Sequence, residues 1–287
     1  MAKSGQKIVR PARHASVLAL LKAHPNERWP KKIIRKLAVD RLADARKKGW
    51  GKEGPPFCPK MLSSLYGMRC REVSHDIGGE GRILPDPNRI NRAMIEYLAG
   101  RMEERQRFTI YHEFAHTLFP DYCVLKTYHQ ATPAEKDPEK EFETLCDVAA
   151  AEFIMPEDLF VADLAGKRVN GDVIMALKKR YHASVDASVR RVVELTSTVA
   201  CGAVFLKAPG RGTGREVSYS LKNDQFAGYI RSGSRIGWSG TLTTPKKTTL
   251  FIDGRPRSYL VESLNLPPVP DNPSYPTNVL LLLPSSY

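Results

Sequence analysis

Two histidines and a glutamate in the segment RFTIYHEFAHTLF, residues 107–119, have types and a spacing that could hold a divalent metal ion. His112 and His116 are four residues apart, so on a helix both imidazoles lie on one face, about one turn from each other. Glu113 is rotated by about 100° from His112, where it could act as general base and acid toward a water molecule without being a ligand. Because the neighbouring side chains are mostly apolar, histidines without partners would be costly here. The pattern therefore predicts a zinc site with hydrolytic chemistry.

A catalytic zinc ion usually has three protein ligands and one open position, so the two histidines need a third ligand. The segment ETLCD supplies Glu143 and, one turn later, Asp147, which share one face of a helix. We expect Glu143 to be the third ligand and Asp147 to accept the second N–H of His112, which fixes the tautomer of that ring. Glu139, one turn before Glu143, is the rival ligand. Manganese or another divalent ion could use the same ligands.

Three other reactive side chains lie close to these two segments in the sequence. Cys146 stands beside the ligand face, where we expect core packing rather than redox sensing. Tyr128 and His129 fall in a loop between the segments. They could contact substrate, but we expect them to be ordinary exposed loop residues.

The elements that must position these residues are two long helices and a few short strands. Residues 92–119 read as helix in two pieces around Gly100, and the helix that carries Glu143 should end before Pro156. Short strands are expected near 71–73 and within GGEGRILPDPNR. The predicted site therefore lies between two neighbouring helices.

The chain after the second helix changes character twice. Residues 172–195, DVIMALKKRYHASVDASVRRVVEL, predict two helices joined by a turn around Ala183, which resembles a helix-turn-helix. From about Val199, five runs rich in β-forming residues are separated by Gly, Pro, Asn and Asp. We expect a separate α/β or mostly β domain there.

Composition limits the class of protein. With 42% hydrophobic and 26% charged residues in 287, the chain is typical of globular proteins. The apolar runs are too short to cross a bilayer, and the N-terminus does not have the pattern of a secretory signal. Five scattered cysteines form no CxxC pair, which favours free thiols and a cytoplasmic location without membrane contact.

The net charge of +13 is concentrated at the N-terminus. Residues 1–52 hold fifteen Lys and Arg against three Asp and Glu, whereas the remaining residues are nearly balanced. Such a basic arm could contact nucleic acid through phosphate groups, but charge alone carries no specificity. A solvated extension is the simpler interpretation.

Together these features predict an α+β fold in four parts. They are a basic N-terminal arm at 1–52, a zincin-like metallopeptidase domain at 53–156, a helix-turn-helix-like helical segment at 157–198 and a C-terminal domain at 199–287.

The paired segments RQRFTIYHEFAHTLF and EKEFETLCDVAAAEFIMP resemble the signature of the ImmA/IrrE metallopeptidases. The motif pair of that family runs approximately R-x-R-F-T-x-x-H-E-x-x-H and then E-T-L-C-N-x-x-A-A-x-x-x-M-P. The resemblance implies that His112, His116 and Glu143 are metal ligands and that Glu113 is the catalytic acid and base. Asp147 stands where the family usually has asparagine, which also accepts a hydrogen bond.

The resemblance covers residues 80–195 well and implies an intracellular, zinc-dependent protease that cleaves a helix-turn-helix repressor to release a stress or mobile-element response. It extends weakly into the C-terminus, where the IrrE branch carries a GAF-like α/β domain. Two alternatives stay open: a DNA-binding transcriptional regulator with a structural or vestigial metal site, and an anti-repressor that binds its target without cutting it.

Overall fold

The structure is a computed structural model that describes residues 13–89, 92–122, 136–208, 214–227, 230–237, 244–252, 255–267 and 275–284. Packing divides the chain into two compact units, Met1–Pro156 and Glu157–Tyr287. In the described part of the chain, no helix is both long enough and apolar enough to cross a membrane. The fold is mixed α+β, as predicted, and each unit is described separately.

The first unit consists of helices around a small sheet. Its helices are α1 (Ala15–Ala23), α2 (Pro30–Lys47), α3 (Pro59–Leu65), α4 (Glu103–Ala115), a 3-10 turn (His116–Leu118) and α5 (Lys136–Ile154). Its strands are β1 (Arg69–Val73), β2 (Gly81–Pro85) and β3 (Ala93–Leu98), in the order β1-β3-β2.

Strand β3 is the centre of that sheet, parallel to β1 and antiparallel to β2. The sequence predicted helix for these residues, and that prediction was wrong. Ile95 and Tyr97 have high β propensity, and pairing on both edges buries nearly the whole strand. Gly100, with φ +73°, then lets the chain turn before α4 begins.

The N-terminal helices are part of the first unit and do not form an arm. Helix α2 packs against α5, and its apolar stripe, with Ile34 and Leu42 exposed by 2% or less, lies in the core. The other faces of α2 are basic and exposed. Because of these charges, the sequence predicted a basic arm. Residues 13–47 therefore contribute to the unit that carries the predicted metal ligands.

The second unit begins with three helices and continues into a barrel. The helices are α6 (Glu157–Leu164), α7 (Gly171–Tyr181) and α8 (Val185–Leu195). The strands are β4 (Gly202–Leu206), β5 (Arg215–Lys222), β6 (Arg235–Ile236), β7 (Lys246–Ile252), β8 (Arg255–Asn265) and β9 (Asn278–Leu283). They close in sequence order, with β9 paired to β4.

Of the two arrangements predicted for residues 199–287, α/β or mostly β, the barrel corresponds to the mostly β one. Every strand is antiparallel to its neighbours, so no helical crossover is required between strands. The described residues of this segment contain no helix. The GAF-like α/β assignment is therefore not confirmed for them.

Helices α7 and α8 have the connection expected of a helix-turn-helix, with His182 at φ 49° in the turn. Helix α8 packs on β4 and β5, where Asp186 accepts hydrogen bonds from Arg190 and Tyr219. Only Arg190 and Glu194 of its eleven residues are exposed. The second helix is thus almost entirely buried in its own unit.

Candidate metal centre

Helix α4 carries the two histidines and is anchored by hydrogen bonds to the backbone of Phe57. No Gly or Pro interrupts residues 103–115, and Glu103 and Glu104 in the first turn favour the positive end of the helix dipole. Arg107 and Tyr111 both donate to the carbonyl of Phe57, at 2.6 and 2.9 Å. These buried bonds fix the rotation of α4, so that His112 and His116 face α5 with ring centroids 5.3 Å apart.

His112 lies between two carboxylates of α5. Its Nε2 is 2.7 Å from Glu143 Oε2, and its Nδ1 is 2.9 Å from Asp147 Oδ1. Burial opposes protonation of this ring, but the hydrogen bonds to Asp147 and Glu143 outweigh it and raise the pKa of His112 to about 10. The pocket therefore stabilises positive charge at this point, and a bound metal ion would replace that proton.

His116 has the opposite environment. It is 4% exposed, and its ring lies 5.1 Å from the ring of Phe142. Burial lowers the pKa of His116 to about 3, so the imidazole is neutral at physiological pH. A neutral ring keeps one nitrogen lone pair available for a metal.

Glu113 is buried beside the second histidine. It is 8% exposed, and its Oε2 lies 3.8 Å from His116 Nε2. Burial raises the pKa of this carboxyl to about 7, where it can both accept and return a proton. The side chain thus has the properties that a general base requires.

Strand β2 lies directly against Glu113, which the sequence reading missed. A Cβ placed on Gly81 would lie 3.2 Å from Glu113 Cγ and 2.3 Å from Thr109 Cγ2. Gly81 is therefore the residue that lets the sheet approach the helix so closely. Its position in the run GGEGRIL looked like an ordinary turn glycine.

The two candidate glutamates of α5 have different partners. Glu143 contacts His112, whereas Glu139 lies 3.4 Å from His14 Nε2 at the start of α1. The ring of His14 also stacks on Phe142 at 4.4 Å, on the residue that contacts His116. The sequence gave no signal for His14, because it lies 98 residues before His112, the first predicted ligand.

The donor set fits a divalent metal. Among the described residues, the ligand atoms of His112, His116 and Cys146 lie within 4.8 Å of one another. Glu143 Oε2 lies 2.7 Å from Nε2 of His112. Two imidazoles with a carboxylate or thiol are ligands that zinc accepts. Tyr128 and His129 lie outside the described residues.

Comparisons with known proteins identify the segment around this site. Residues 77–193 match the peptidase M78 family, described as the IrrE N-terminal-like domain. The chain is 37% identical over 109 residues to the radiation response metalloprotease IrrE of Deinococcus radiodurans, covering 38% of this chain and 32% of that protein. It is 33% identical over 95 residues to the protein of the same name from Deinococcus deserti, covering 33% and 34%.

The match spans about a third of the length of these two relatives. Among solved structures, a Mycobacterium tuberculosis transcriptional regulator has a TM-score of 0.50 and 13% identity, covering 88% of this chain and 81% of that one. That similarity concerns the fold alone.

Proposed function

From the premise that this chain carries a metallopeptidase domain of the ImmA/IrrE family, we propose that it is a zinc-dependent, site-specific endopeptidase. Its substrate would be a transcriptional repressor, and its cleavage would switch on a stress or mobile-element response. The observation that carries the proposal is the pairing of one α4 histidine with two α5 carboxylates, Glu143 at 2.7 Å and Asp147 at 2.9 Å, beside a buried glutamate.

In this proposal the metal is held by His112, His116 and Glu143. The chemistry that a zinc ion supplies is Lewis acidity, which polarises a peptide carbonyl and makes water a better nucleophile. Asp147 Oδ1 holds the Nδ1–H of His112, so that Nε2 presents its lone pair to the site. Manganese or another divalent ion could occupy the same ligands.

Glu113 performs the proton transfers. Its carboxylate accepts a proton from the attacking water and then delivers that proton to the nitrogen of the leaving amine. Its burial excludes bulk water and keeps its pKa near neutrality, so either protonation state is accessible. Gly81 lies beside it, so close that a Cβ there would be 3.2 Å from Glu113 Cγ and Oε1.

A helix-turn-helix repressor is the proposed substrate because it is the target that the family resemblance implies. The two Deinococcus relatives are named as radiation response metalloproteases, which fits a protease that acts in a regulated response. A reducing, cytoplasmic setting belongs to the proposal, since the described cysteines Cys58, Cys70, Cys146 and Cys201 are free.

The decisive test is co-expression with a helix-turn-helix repressor encoded next to this chain. We expect the wild-type chain to convert the repressor into two fragments with one defined junction, measured by intact-mass spectrometry. Glu113→Gln should abolish the fragments and retain the metal. Glu103→Gln, an exposed glutamate on the same helix, is the matched control and should cleave normally. Full cleavage by Glu113→Gln would refute the mechanism.

A DNA-binding regulator is the second candidate. It is favoured by the basic residues in 1–52. The burial of α8 argues against it, because a recognition helix must present several side chains to the major groove, and only Arg190 and Glu194 are exposed. A salt-dependent DNA shift that survives Glu113→Gln, without cleavage of the repressor, would favour this candidate.

The same co-expression distinguishes a non-cleaving anti-repressor from the proposed protease. Loss of repressor activity while the repressor stays intact would favour binding without proteolysis. Loss of activity together with the two fragments supports the protease.

A further inference from the structure

Two adjacent residues of α5 each contact one of the two α4 histidines. Asp147 Oδ1 lies 2.9 Å from Nδ1 of His112, and Cys146 Sγ lies 3.6 Å from Nδ1 of His116. In both rings the Nε2 atom faces other members of the site, namely Glu143 for His112 and Glu113 for His116. In both rings, therefore, an α5 side chain contacts Nδ1 while Nε2 faces the site.

We propose that Cys146 is a positioning residue for the metal ligand His116, whose Nδ1–H it accepts on sulfur, so that the Nε2 lone pair is directed into the metal site. This inference rests on the proposed metal site. It gives Cys146 the role for His116 that Asp147 has for His112.

Burial explains why the partner of His116 is a thiol. His116 is 4% exposed and Cys146 is fully buried, whereas the side chain of Asp147 is 55% exposed. A buried ring N–H without an acceptor destabilises the folded protein, so an acceptor is needed. A carboxylate in place of the Cys146 thiol would add a buried negative charge close to Glu113 and Glu143, which is costly. A neutral sulfur accepts the hydrogen bond without that charge.

Direct ligation is the competing role for Cys146. The ligand atoms of His112, His116 and Cys146 lie within 4.8 Å of one another, a distance that a thiolate ligand could also satisfy. In that case sulfur would bond to the metal and would no longer accept from Nδ1 of His116. The two roles therefore predict different spectra.

The experiment uses the full chain loaded with Co²⁺ or Zn²⁺. Wild type is compared with Cys146→Ala and Cys146→Ser, and with Cys201→Ala as the matched control, since Cys201 is an equally buried thiol in the other unit. Metal affinity is measured by competition with a chelator, and the Co²⁺ absorption spectrum is recorded for each protein. The unfolding midpoint of each metal-free protein separates a packing defect from a metal defect.

We expect Cys146→Ala to weaken affinity for both ions about tenfold. Cys146→Ser should recover most of that loss, since a hydroxyl also accepts a hydrogen bond, and Cys201→Ala should bind as wild type does. The wild-type Co²⁺ spectrum should lack a sulfur-to-cobalt charge-transfer band.

Two outcomes would overturn the role of Cys146 while leaving the proposed protease intact. They are a charge-transfer band that Cys146→Ala removes, and affinity unchanged in Cys146→Ala. Failure of the wild-type chain itself to bind either ion would overturn the metal site and the inference together.

Discussion

A single methyl group added at Gly81 measures how tightly strand β2 holds the proposed catalytic glutamate. The new Cβ of Gly81→Ala would lie 2.3 Å from Thr109 Cγ2 and 3.2 Å from Glu113 Cγ and Oε1. Carbon atoms in contact prefer about 3.5 Å or more, so the strand, the helix or the Thr109 side chain must shift by roughly 1.2 Å at this point. Gly81 itself has no positive φ, so the substitution acts through space and not through backbone strain.

The expected effect is a loss of catalysis larger than the loss of stability. A displacement of about 1 Å near a reacting group can lower the rate about 100-fold. The overpacking itself should cost about 1–3 kcal/mol of unfolding free energy. Because Glu113 is not a proposed ligand, zinc affinity should change little.

The assay is the rate of repressor cleavage, with zinc affinity and the denaturation midpoint measured on the same samples. Gly79→Ala is the control, since its Cβ would meet only a carbonyl oxygen at the ordinary distance of 3.6 Å. In Gly81→Ala with Thr109→Ser the 2.3 Å contact is removed and the 3.2 Å contacts stay, so cleavage should recover in part. Cleavage by Gly81→Ala within twofold of wild type would refute the claim that this glycine positions Glu113.

Three further substitutions test other parts of the structure. Glu143→Gln should lower zinc affinity by at least the 10- to 100-fold typical of lost metal-site partners. Glu139→Gln, which changes the carboxylate that contacts His14, should bind zinc normally. Equal losses in a chelator competition would contradict the choice of ligand. Glu96 is buried, and although burial opposes its ionisation, hydrogen bonds from Arg71 and Arg82 lower its pKa. Its stabilisation is present above the unfolded pKa and is lost as the pH falls through the lower folded value. Glu96→Gln should therefore cost about 2 kcal/mol at pH 7 and progressively less in acid denaturation series, and a pH-independent difference would contradict this. The amide of Gly171 donates to Glu262 Oε2 at 2.7 Å, and Glu262→Ala removes that acceptor. The substitution should lower the free energy of unfolding in urea by about 1–3 kcal/mol. An unchanged unfolding midpoint would show that this hydrogen bond does not stabilise the fold.

The sequence was most informative where local spacing decides the geometry. The i, i+4 pair on α4 and the pair Glu143 and Asp147 on α5 each lie on one helical face because of helix periodicity. The structure brings His112 and both carboxylates together. Each of the five β-rich runs from residue 199 onward also contains strand residues.

The sequence was least informative where distant segments meet. Residues 93–98 form the central strand because β1 and β2 pair with the two edges of this segment. No local sequence pattern indicates which segments will pair with it. Gly81 and His14 reach the site from outside the two motif segments. The closure of the barrel through β4 and β9 joins residues about 75 positions apart, so a single window could not distinguish it from an open sheet.

The packing of α1 and α2 determines the smallest fragment of this protein that could fold on its own with the proposed metal site. The family match begins at residue 77, and a fragment cut there, or at residue 53, would leave the surface of α5 that meets α2 open to water. Each large apolar side chain of α2 that leaves the core removes about 1.5–3 kcal/mol of stabilisation, and Ile33, Ile34 and Leu42 would all be lost. The 3-10 turn that carries His116 also rests on α2. Expression of the peptidase unit should therefore begin no later than Arg13 and run through Pro156, which retains the Arg13 contact to Glu141 and the His14 contact to Glu139.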